Sequence, residues 1–485
     1  MRNSARALAA TSLILGPTAL AFFSGGFFDR PRLVAGILTW AIVAAAMVIS
    51  PRPVPRSASG LTALLGLALL AGWTGVSYEW APLGGRAQDD VQRLVLYLGL
   101  FVAGMALLGG RLGRRFVEPG LAAGTFVVAA YGLSARLLPS LVDLQRSRSA
   151  EGRLEQPLTY WNAMGCLSAI GLVLCARLAA DSRRPRAVRA AAAFGAPALG
   201  LGVYLSFSRG ALFALGAGLA LLLVLAPVVR VQLRAAATLV GAGAMASLVA
   251  SFLPTVESLP PDQTGDGGPG AIMLAVLVLL SSGAGLATAR ASLLASGAGG
   301  RRPARLGRPA IAAFVVLAVG GVAGAAALEG DPSARSAGAP TSATRLTSAD
   351  TTRYAFWRVA LDSFAENPVK GSGSGGFAVD WRRQPGRTES AVDAHSLYIE
   401  TLSELGIVGG AFLALFLGGT LAAGARLQRR DPAAAAGPAA ALLVWAIHAG
   451  LDWDWEMPAL TGVALVLAAA MVAWHEDARH STGAV

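Results

Sequence analysis

The residue best placed to do chemistry in this chain is His395, which is followed by Ser396, then by nine residues and then by Gly-Ile-Val-Gly at 406–409. The chain has four histidines, and this one ends the single long hydrophilic loop, just before an apolar stretch. An imidazole that titrates near neutral pH, placed where a polar loop re-enters lipid, suits a reaction between a lipid-borne donor and an acceptor at the membrane surface. His395 is therefore the first candidate for a general base or an acceptor-orienting group.

Three arginines are the next candidates. Arg153 precedes an apolar segment, Arg209 stands in the short turn at 206–210, and Arg353 opens a helical pattern in the long loop. The planar guanidinium fork binds phosphate in a bidentate manner and stays charged at any working pH. These positions predict binding of a lipid pyrophosphate at the membrane surface. Solvation or snorkelling is the simpler interpretation of three further loop arginines: Arg382, Arg383 and Arg387.

The elements that must position these residues are membrane helices. Hydrophobic residues make up 54% of the 485-residue chain and charged residues 14%, a balance that excludes an ordinary soluble domain. Apolar runs of about 20 residues recur, and each is long enough to cross a hydrocarbon core as a helix. The sequence predicts an all-α polytopic membrane protein with about fourteen transmembrane helices: 5–24, 31–50, 60–77, 94–110, 116–138, 158–178, 188–206, 210–229, 235–253, 270–289, 309–328, 405–424, 433–451 and 457–474.

The placement of arginines predicts the orientation. Clusters at 183–189 and 301–308 fall in alternate turns, and the positive-inside rule assigns such turns and both termini to the cytoplasmic side of the cytoplasmic (inner) membrane. We expect three parts: an N-terminal bundle of about eleven helices at 1–328, an extracytoplasmic catalytic loop at 329–396, and about three helices with a short cytoplasmic tail at 397–485. Much of the formal charge of +12 is such arginine, so nucleic-acid binding is not implied.

The long loop has a pattern of its own, with short amphipathic helices. The first is predicted to follow a cap at 350–352 and to present one face towards the membrane surface, made of Arg353, Trp357, Leu361 and Phe364. The glycine-rich run at 370–377 predicts a tight turn and not a phosphate cradle, because no strand or P-loop spacing frames it. A second helix is expected to begin near His395 and to carry Glu400 and Glu404.

Taken together, these residues resemble the O-antigen ligase-like membrane glycosyltransferases. The signature of that family, His followed by Asn, Ser or Gln, then nine residues and Gly-x-x-Gly, stands here at 395–409. The run 353–377 is similar to its Arg…Trp…Pro-x-x-Gly-x-Gly…Phe pattern, while 208–211 and 153–163 resemble its Ser-Arg-Gly turn and its Arg…Asn segment. The resemblance covers roughly 150–475 and is densest over 350–410. Ser396 stands where Asn is commoner, which leaves the subfamily open.

The resemblance implies a metal-independent glycosyltransferase of polysaccharide biosynthesis in the cell envelope, with no cofactor. Its donor would be a glycan linked to a polyprenyl pyrophosphate such as undecaprenyl pyrophosphate. Its acceptor would be a lipid or a glycan, and membrane lipids would surround it. Arg209 and Arg353 would hold the pyrophosphate, and His395 would act near the acceptor. Six further residues are expected to bind substrate: Arg153, Asn162, Trp357, Lys370, Ser396 and Glu404.

Three function classes stay open: a glycan ligase, a polysaccharide polymerase of the same superfamily, and a polyprenyl-glycan transporter or flippase. Charged residues are scarce inside the predicted helices and no inverted repeat is evident, which argues against the transporter. His448 and Asp452 stand four residues apart near the end of a predicted helix. We interpret the acidic residues there as a solvated turn, with cation or sugar binding as the alternative.

Overall fold

The computed structural model describes residues 2–294, 353–384 and 391–482. All regular structure in these ranges is helical, which confirms the predicted all-α class. The helices of the first range are α1 Arg2–Ala21, α2 Asp29–Ile49, α3 Ala58–Ser77, α4 Gly84–Leu107, α5 Gly110–Leu137, α6 Trp161–Ala180, α7 Arg186–Leu205, α8 Arg209–Leu225, α9 Val229–Ala250, α10 Pro254–Glu257 and α11 Gly267–Leu294. Those of the other two ranges are α12 Arg353–Glu366, α13 Phe377–Arg382, α14 Leu397–Arg430, α15 Pro432–Ala449 and α16 Pro458–Thr482.

Thirteen of the fourteen predicted apolar segments fall on described helices. Eleven of these helices are long and apolar enough to cross a membrane, and the other two are α1 and the 17-residue α8. The predicted segment 309–328 lies outside the described residues, as does the predicted boundary between the N-terminal bundle and the loop. The chain is a multi-pass membrane protein.

The centre of the bundle is formed by α6, α15 and α16, which are the most enclosed of the candidate spans. Small residues let neighbouring helices approach closely, as in many membrane bundles. The contact between α3 and α14 is an example, because a Cβ atom added at Gly66 would come within 2.3 Å of the Phe416 backbone nitrogen. Close packing of this kind fixes the helix ends against each other and so fixes the polar groups that they carry.

Polar side chains collect at the two ends of the bundle. One end, called the His395 end here, contains the start of α4, α12, α13, the start of α14 and the turn 450–457 between α15 and α16. The opposite end contains the turns 107–110 and 181–185, Asp431 and the last turns of α16. Contacts fix this division, since Arg93 of α4 lies 3.5 Å from Glu456 at the first end, and Arg114 lies 2.5 Å from Asp431 at the other.

Candidate active site

Asp452 is the central residue of the His395 end. Its side chain is fully buried, and it accepts hydrogen bonds from Arg353 Nη2 at 2.5 Å, Asn162 Nδ2 at 2.6 Å and the Tyr160 hydroxyl at 2.6 Å. This one carboxylate joins α12, α6 and the turn after α15. The prediction of a solvated turn is therefore wrong. The turn folds inward because the three donors, which are far away in sequence, satisfy the buried charge.

Charges around Asp452 keep it ionised. Burial acts to raise the pKa of its carboxyl group, but the charges of Arg353, His395 and His448 and the hydrogen bond from Tyr160 together hold that pKa below its ordinary value. The neighbouring Tyr160 responds in the opposite sense: burial, and then the Asp452 charge, raise the pKa of its hydroxyl well above the ordinary value. The site thus contains a fixed anion bound to a guanidinium and to a neutral phenol.

His395 lies beside this cluster on two aromatic side chains. Its ring stacks on Phe356 with centroids 5.1 Å apart and planes 27° apart, and Trp453 contacts it edge-on at 6.4 Å. Nδ1 lies 3.0 Å from the carbonyl oxygen of Asp393. A carbonyl oxygen can only accept, so Nδ1 carries a hydrogen atom, and Nε2 is the nitrogen through which the ring can gain or release a proton. No described residue hydrogen-bonds Nε2.

Helix α12 positions both Arg353 and the stacking ring of Phe356. It packs against the start of α14 and against α13, where Trp381 meets Phe356 edge-on at 4.6 Å. Of the predicted face, Trp357 is buried in the protein and Leu361 is exposed, and Phe356, Ala360 and Ser363 are buried beside it. Contact of this face with the membrane surface stays a prediction. The helix buries the stripe that meets the His395 loop and α13, and packing partners of this kind cannot be read from helical periodicity.

The start of α14 fixes the glycine-rich turn, which is a tight turn as the sequence predicts. Glu404 accepts hydrogen bonds from the backbone nitrogens of Gly375 at 2.9 Å and Phe377 at 3.1 Å. Gly406, the first glycine of the motif, adopts φ +65° and ψ −167°, and a Cβ atom there would lie 2.2 Å from the Val369 carbonyl oxygen. This glycine is required because the turn crosses directly over it.

Glu400, one helical turn before Glu404, holds the segment that leads to His395. Its Oε2 accepts a hydrogen bond from the backbone nitrogen of Ala394 at 2.7 Å. His395 itself has φ +55°, an uncommon value for a residue with a side chain. Two carboxylates on one face of α14 therefore secure the two loops that flank the imidazole. Burial raises the pKa of Asp393 in the second loop, although His395 and Arg93 act against it.

The start of α8 joins the same region through Ser208. Its hydroxyl caps the helix, accepting from Ala211 N at 3.2 Å, and lies 3.3 Å from His448 Nε2. His448 Nδ1 is 2.5 Å from Asp454 Oδ2. Arg209, the first residue of α8, is half-buried directly beside this chain of contacts.

One group of the described residues has the composition of a metal site. Cys166, His448 and Asp454 are all buried, and one potential ligand atom from each lies within 4.8 Å of the other two. The hydrogen bond between His448 and Asp454 already occupies two of these ligands. Metal-independent chemistry stays a prediction.

The remaining predicted binding residues have varied surroundings. Arg153 is buried, lies 3.7 Å above the Trp161 ring, and donates to the carbonyl oxygens of Ala150 and Ser149, both at 2.7 Å. It therefore fastens its own loop. The exposed Lys370 places its Nζ 5.1 Å from the centre of the Trp80 ring.

Two of the predicted binding residues have a buried polar atom without a partner in the described part of the chain. Neither Trp357 Nε1 nor Ser396 Oγ has a hydrogen-bond partner among the described residues, although both side chains are buried. Buried polar groups are normally satisfied, so these two atoms mark a place where a ligand could complete the hydrogen bonding. The structure thus brings His395, Arg353 and Asn162 together around Asp452, with Arg209 reaching the same region through Ser208. Substrate binding by all of these residues stays a prediction.

The sequence interpretation placed Asp452 in a solvated turn and did not assign Tyr160, Phe356 or Trp453 to the site. One signal could have identified Asp452, because a carboxylate that closely follows an apolar segment is costly at that depth unless a cation accompanies it. The aromatic residues gave no such signal, since tryptophan and tyrosine are common at membrane interfaces for other reasons.

These features define a class: a polytopic helical membrane protein in which a half-buried imidazole and a half-buried guanidinium stand beside a buried carboxylate at one end of the bundle. The family model Wzy_C, described as O-antigen ligase, matches residues 269–414, which include Arg353 and His395 but not Arg209 or Asp452. This match supports an O-antigen ligase-like protein, as the motifs predict. The proteins of that family are glycosyltransferase-like ligases and polymerases. No curated protein sequence matches the chain.

Proposed function

We propose that this protein transfers a glycan from a polyprenyl pyrophosphate to a hydroxyl group of a lipid or glycan acceptor, with the His395 end on the extracytoplasmic face of the cytoplasmic membrane. In this reaction the acceptor oxygen bonds to the anomeric carbon of the donor sugar. The bond between that carbon and the pyrophosphate oxygen breaks, the polyprenyl pyrophosphate leaves, and the acceptor proton passes to a base. The site must therefore stabilise an anionic leaving group and accept one proton.

The observation that carries this proposal is the hydrogen bond from His395 Nδ1 to the Asp393 carbonyl, at 3.0 Å. It fixes the tautomer in which Nε2 is the basic nitrogen. Stacking on Phe356 fixes the ring plane, so Nε2 has one direction in which to accept a proton. A positioned imidazole base contributes about 10²- to 10⁴-fold to such reactions.

Arg353 and Arg209 are assigned to the pyrophosphate. Asp452 accepts a hydrogen bond from Nη2 of Arg353, and this contact fixes the position of the planar guanidinium at the His395 end. Arg209 stands at the amino-terminal end of α8, where the helix dipole adds a partial positive charge. Preorganised cations of this kind stabilise the charge that develops on a leaving group.

A reconstituted assay tests the proposal. Purified protein in liposomes receives a polyprenyl-pyrophosphate-linked glycan, first alone and then with a membrane acceptor, and product length and donor consumption are followed. We expect consumption of donor only when acceptor is present, which is the result for a ligase. In Arg353→Gln the rate should fall about 10²- to 10³-fold, whereas Arg234→Gln, an exposed arginine at the opposite end, should leave it unchanged.

The other outcomes decide between the remaining classes. A ladder of lengthening glycans without added acceptor would make the protein a polymerase that uses the same three residues. Movement of intact donor across the membrane without any new glycosidic bond would identify a transporter and contradict the proposed chemistry.

A further inference from the structure

A small basic pocket lies at the opposite end of the bundle, away from every residue assigned to glycan transfer. It is a cavity of about 110 Å³ between the start of α1, the segment before α3, the turn from α4 to α5 and the last turns of α16. One buried water needs only about 15 Å³ of comparable volume, so the pocket has room for a group of several atoms. Its charged lining residues are Arg6, Arg52, Arg56, Glu476 and Asp477.

The three arginines of this pocket have no carboxylate partner among the described residues. Arg6 donates weakly from Nη2 to the carbonyl oxygens of Leu107 and Gly109, at 3.5 and 3.3 Å, and its buried Nε has no partner. Arg52 and Arg56 are exposed at the rim. Arg114, Arg177 and Arg184 at this end pair with carboxylates, whereas Arg230 and Arg234 of α9 have no carboxylate partner among the described residues. The three pocket arginines are distinguished by lining one cavity.

The two carboxylates of the pocket are engaged in holding its walls. Glu476 accepts a hydrogen bond from the backbone nitrogen of Ser57 at 2.8 Å, and Asp477 accepts one from Gly110 at 2.5 Å. Three arginines and two carboxylates leave the lining with one net positive charge. A phosphodiester group carries one negative charge and would balance it.

We propose that this pocket binds the phosphodiester headgroup of an anionic membrane phospholipid. The occupant follows from three observations: guanidinium groups with no carboxylate partner among the described residues, the net charge, and an apolar part of the lining that includes the exposed Val54 and the buried Met105 and Val472. This apolar part suits the glycerol and the first methylene groups of a lipid at the membrane surface. Basic pockets between transmembrane helices bind anionic headgroups by this combination of contacts. The proposal is independent of the glycan-transfer reaction.

The test compares two double variants that each remove two exposed arginines from the same end of the bundle. Arg52→Gln/Arg56→Gln changes the pocket, and Arg230→Gln/Arg234→Gln is the matched control on α9. Binding of phosphatidylglycerol to the purified full-length protein is titrated by native mass spectrometry, with phosphatidylcholine as the uncharged reference. Each arginine near an anionic lipid surface contributes about 1 kcal/mol of binding free energy. The pocket variant should therefore bind phosphatidylglycerol about thirtyfold more weakly, while the control keeps the wild-type affinity.

A labelling experiment on the wild-type protein covers the case in which the pocket variant does not fold. A photoreactive phosphatidylglycerol should label peptides that contain Val54 or Val472 and not peptides of α9. Equal weakening in both double variants, or labelling spread over α9, would overturn the proposal in favour of general surface attraction. Inorganic phosphate that blocks labelling at concentrations below those of the lipid would show a site for free phosphate, and would also overturn it.

Discussion

The two polar ends of the bundle use the same residue types in different arrangements. At the opposite end, arginines and carboxylates pair with one another: Arg177 with Asp181 at 3.1 Å, Arg184 with Glu118 at 2.7 Å, and Arg114 with Asp431 at 2.5 Å. At the His395 end, one buried carboxylate receives a guanidinium, an amide and a phenol, and an imidazole beside it keeps its basic nitrogen without a described partner.

The difference indicates what each end is for. Ion pairs at the opposite end bring opposite charges together and tie neighbouring helices to each other, as a structural network should. The His395 end instead directs three side-chain donors onto the single carboxylate of Asp452. Buried polar atoms without a partner among the described residues occur at both ends, at Ser396 Oγ and at Glu118 Oε1 for example, so the arrangement of donors around Asp452 is what distinguishes the His395 end. Variants at matched positions of the two ends can test this contrast.

Substitution of one histidine at each end of the bundle should give the largest contrast. His395→Gln keeps a polar side chain but removes the base, and glycan transfer should fall about 10²- to 10⁴-fold. His475→Gln, on the last part of α16 at the opposite end, should leave the transfer rate unchanged. Donor consumption by both variants in the same liposomes is the measurement. A His395→Gln variant with wild-type rate would remove the imidazole from the mechanism.

Breaking an ion pair at the opposite end should affect stability and not catalysis. In Arg184→Gln the buried Glu118 loses its charged donor, and removal of one partner of a buried pair costs about 3 kcal/mol. We expect a lower midpoint of thermal unfolding in detergent, with the rate per folded molecule preserved. Arg183→Gln is the control, because its guanidinium is more than half exposed and should contribute little. A selective loss of transfer rate in Arg184→Gln would show that the two ends are coupled.

Removing the charge of Asp452 should weaken transfer by about tenfold to hundredfold. Asp452→Asn keeps the shape of the side chain but no longer opposes the Arg353 charge, so the guanidinium is less firmly oriented towards the pyrophosphate. The loss should appear mainly in the KM for the donor, since Arg353 is assigned to donor binding. Asp431→Asn at the opposite end is the matched control. An equal loss in both variants would mean that the effect is one of folding.

The sequence predicted those parts of the molecule that depend on local pattern. Apolar runs located thirteen described helices, and the spacing around His395 located the imidazole, the glycine turn and the start of α14. Asp452 was misinterpreted because its partners lie at 160, 162 and 353, and nothing near 452 in the sequence reveals them. The buried face of α12 could not be predicted for a similar reason: Phe356 packs on His395 and Trp381, which only the tertiary structure brings together.

The smallest expected difference is between Asp452 and Glu456, two carboxylates of the turn 450–457, and concerns how stability depends on pH. The pKa of Asp452 is below its ordinary value, whereas burial, opposed in part by Arg93, raises that of Glu456 well above it. A carboxyl group with a lowered pKa in the folded protein adds stability above its ordinary pKa, and this stability is lost as the pH falls through the folded value. Asp452→Asn should therefore destabilise the protein near neutral pH, and the difference from wild type should shrink on acidification below about pH 4.

Glu456 should behave in the opposite sense. Because its folded pKa is raised, its ionised form opposes folding at neutral pH, and Glu456→Gln, which resembles the protonated acid, should leave the unfolding midpoint equal or higher. Thermal unfolding of both variants and the wild type across the acid range is the measurement. The two carboxylates are four residues apart and both buried, so burial alone cannot separate them. A lower unfolding midpoint in Asp452→Asn together with an equal or higher one in Glu456→Gln would show that the donors around Asp452 hold it as a fixed anion. A change of the midpoint in the same direction in both variants would contradict that account of the site.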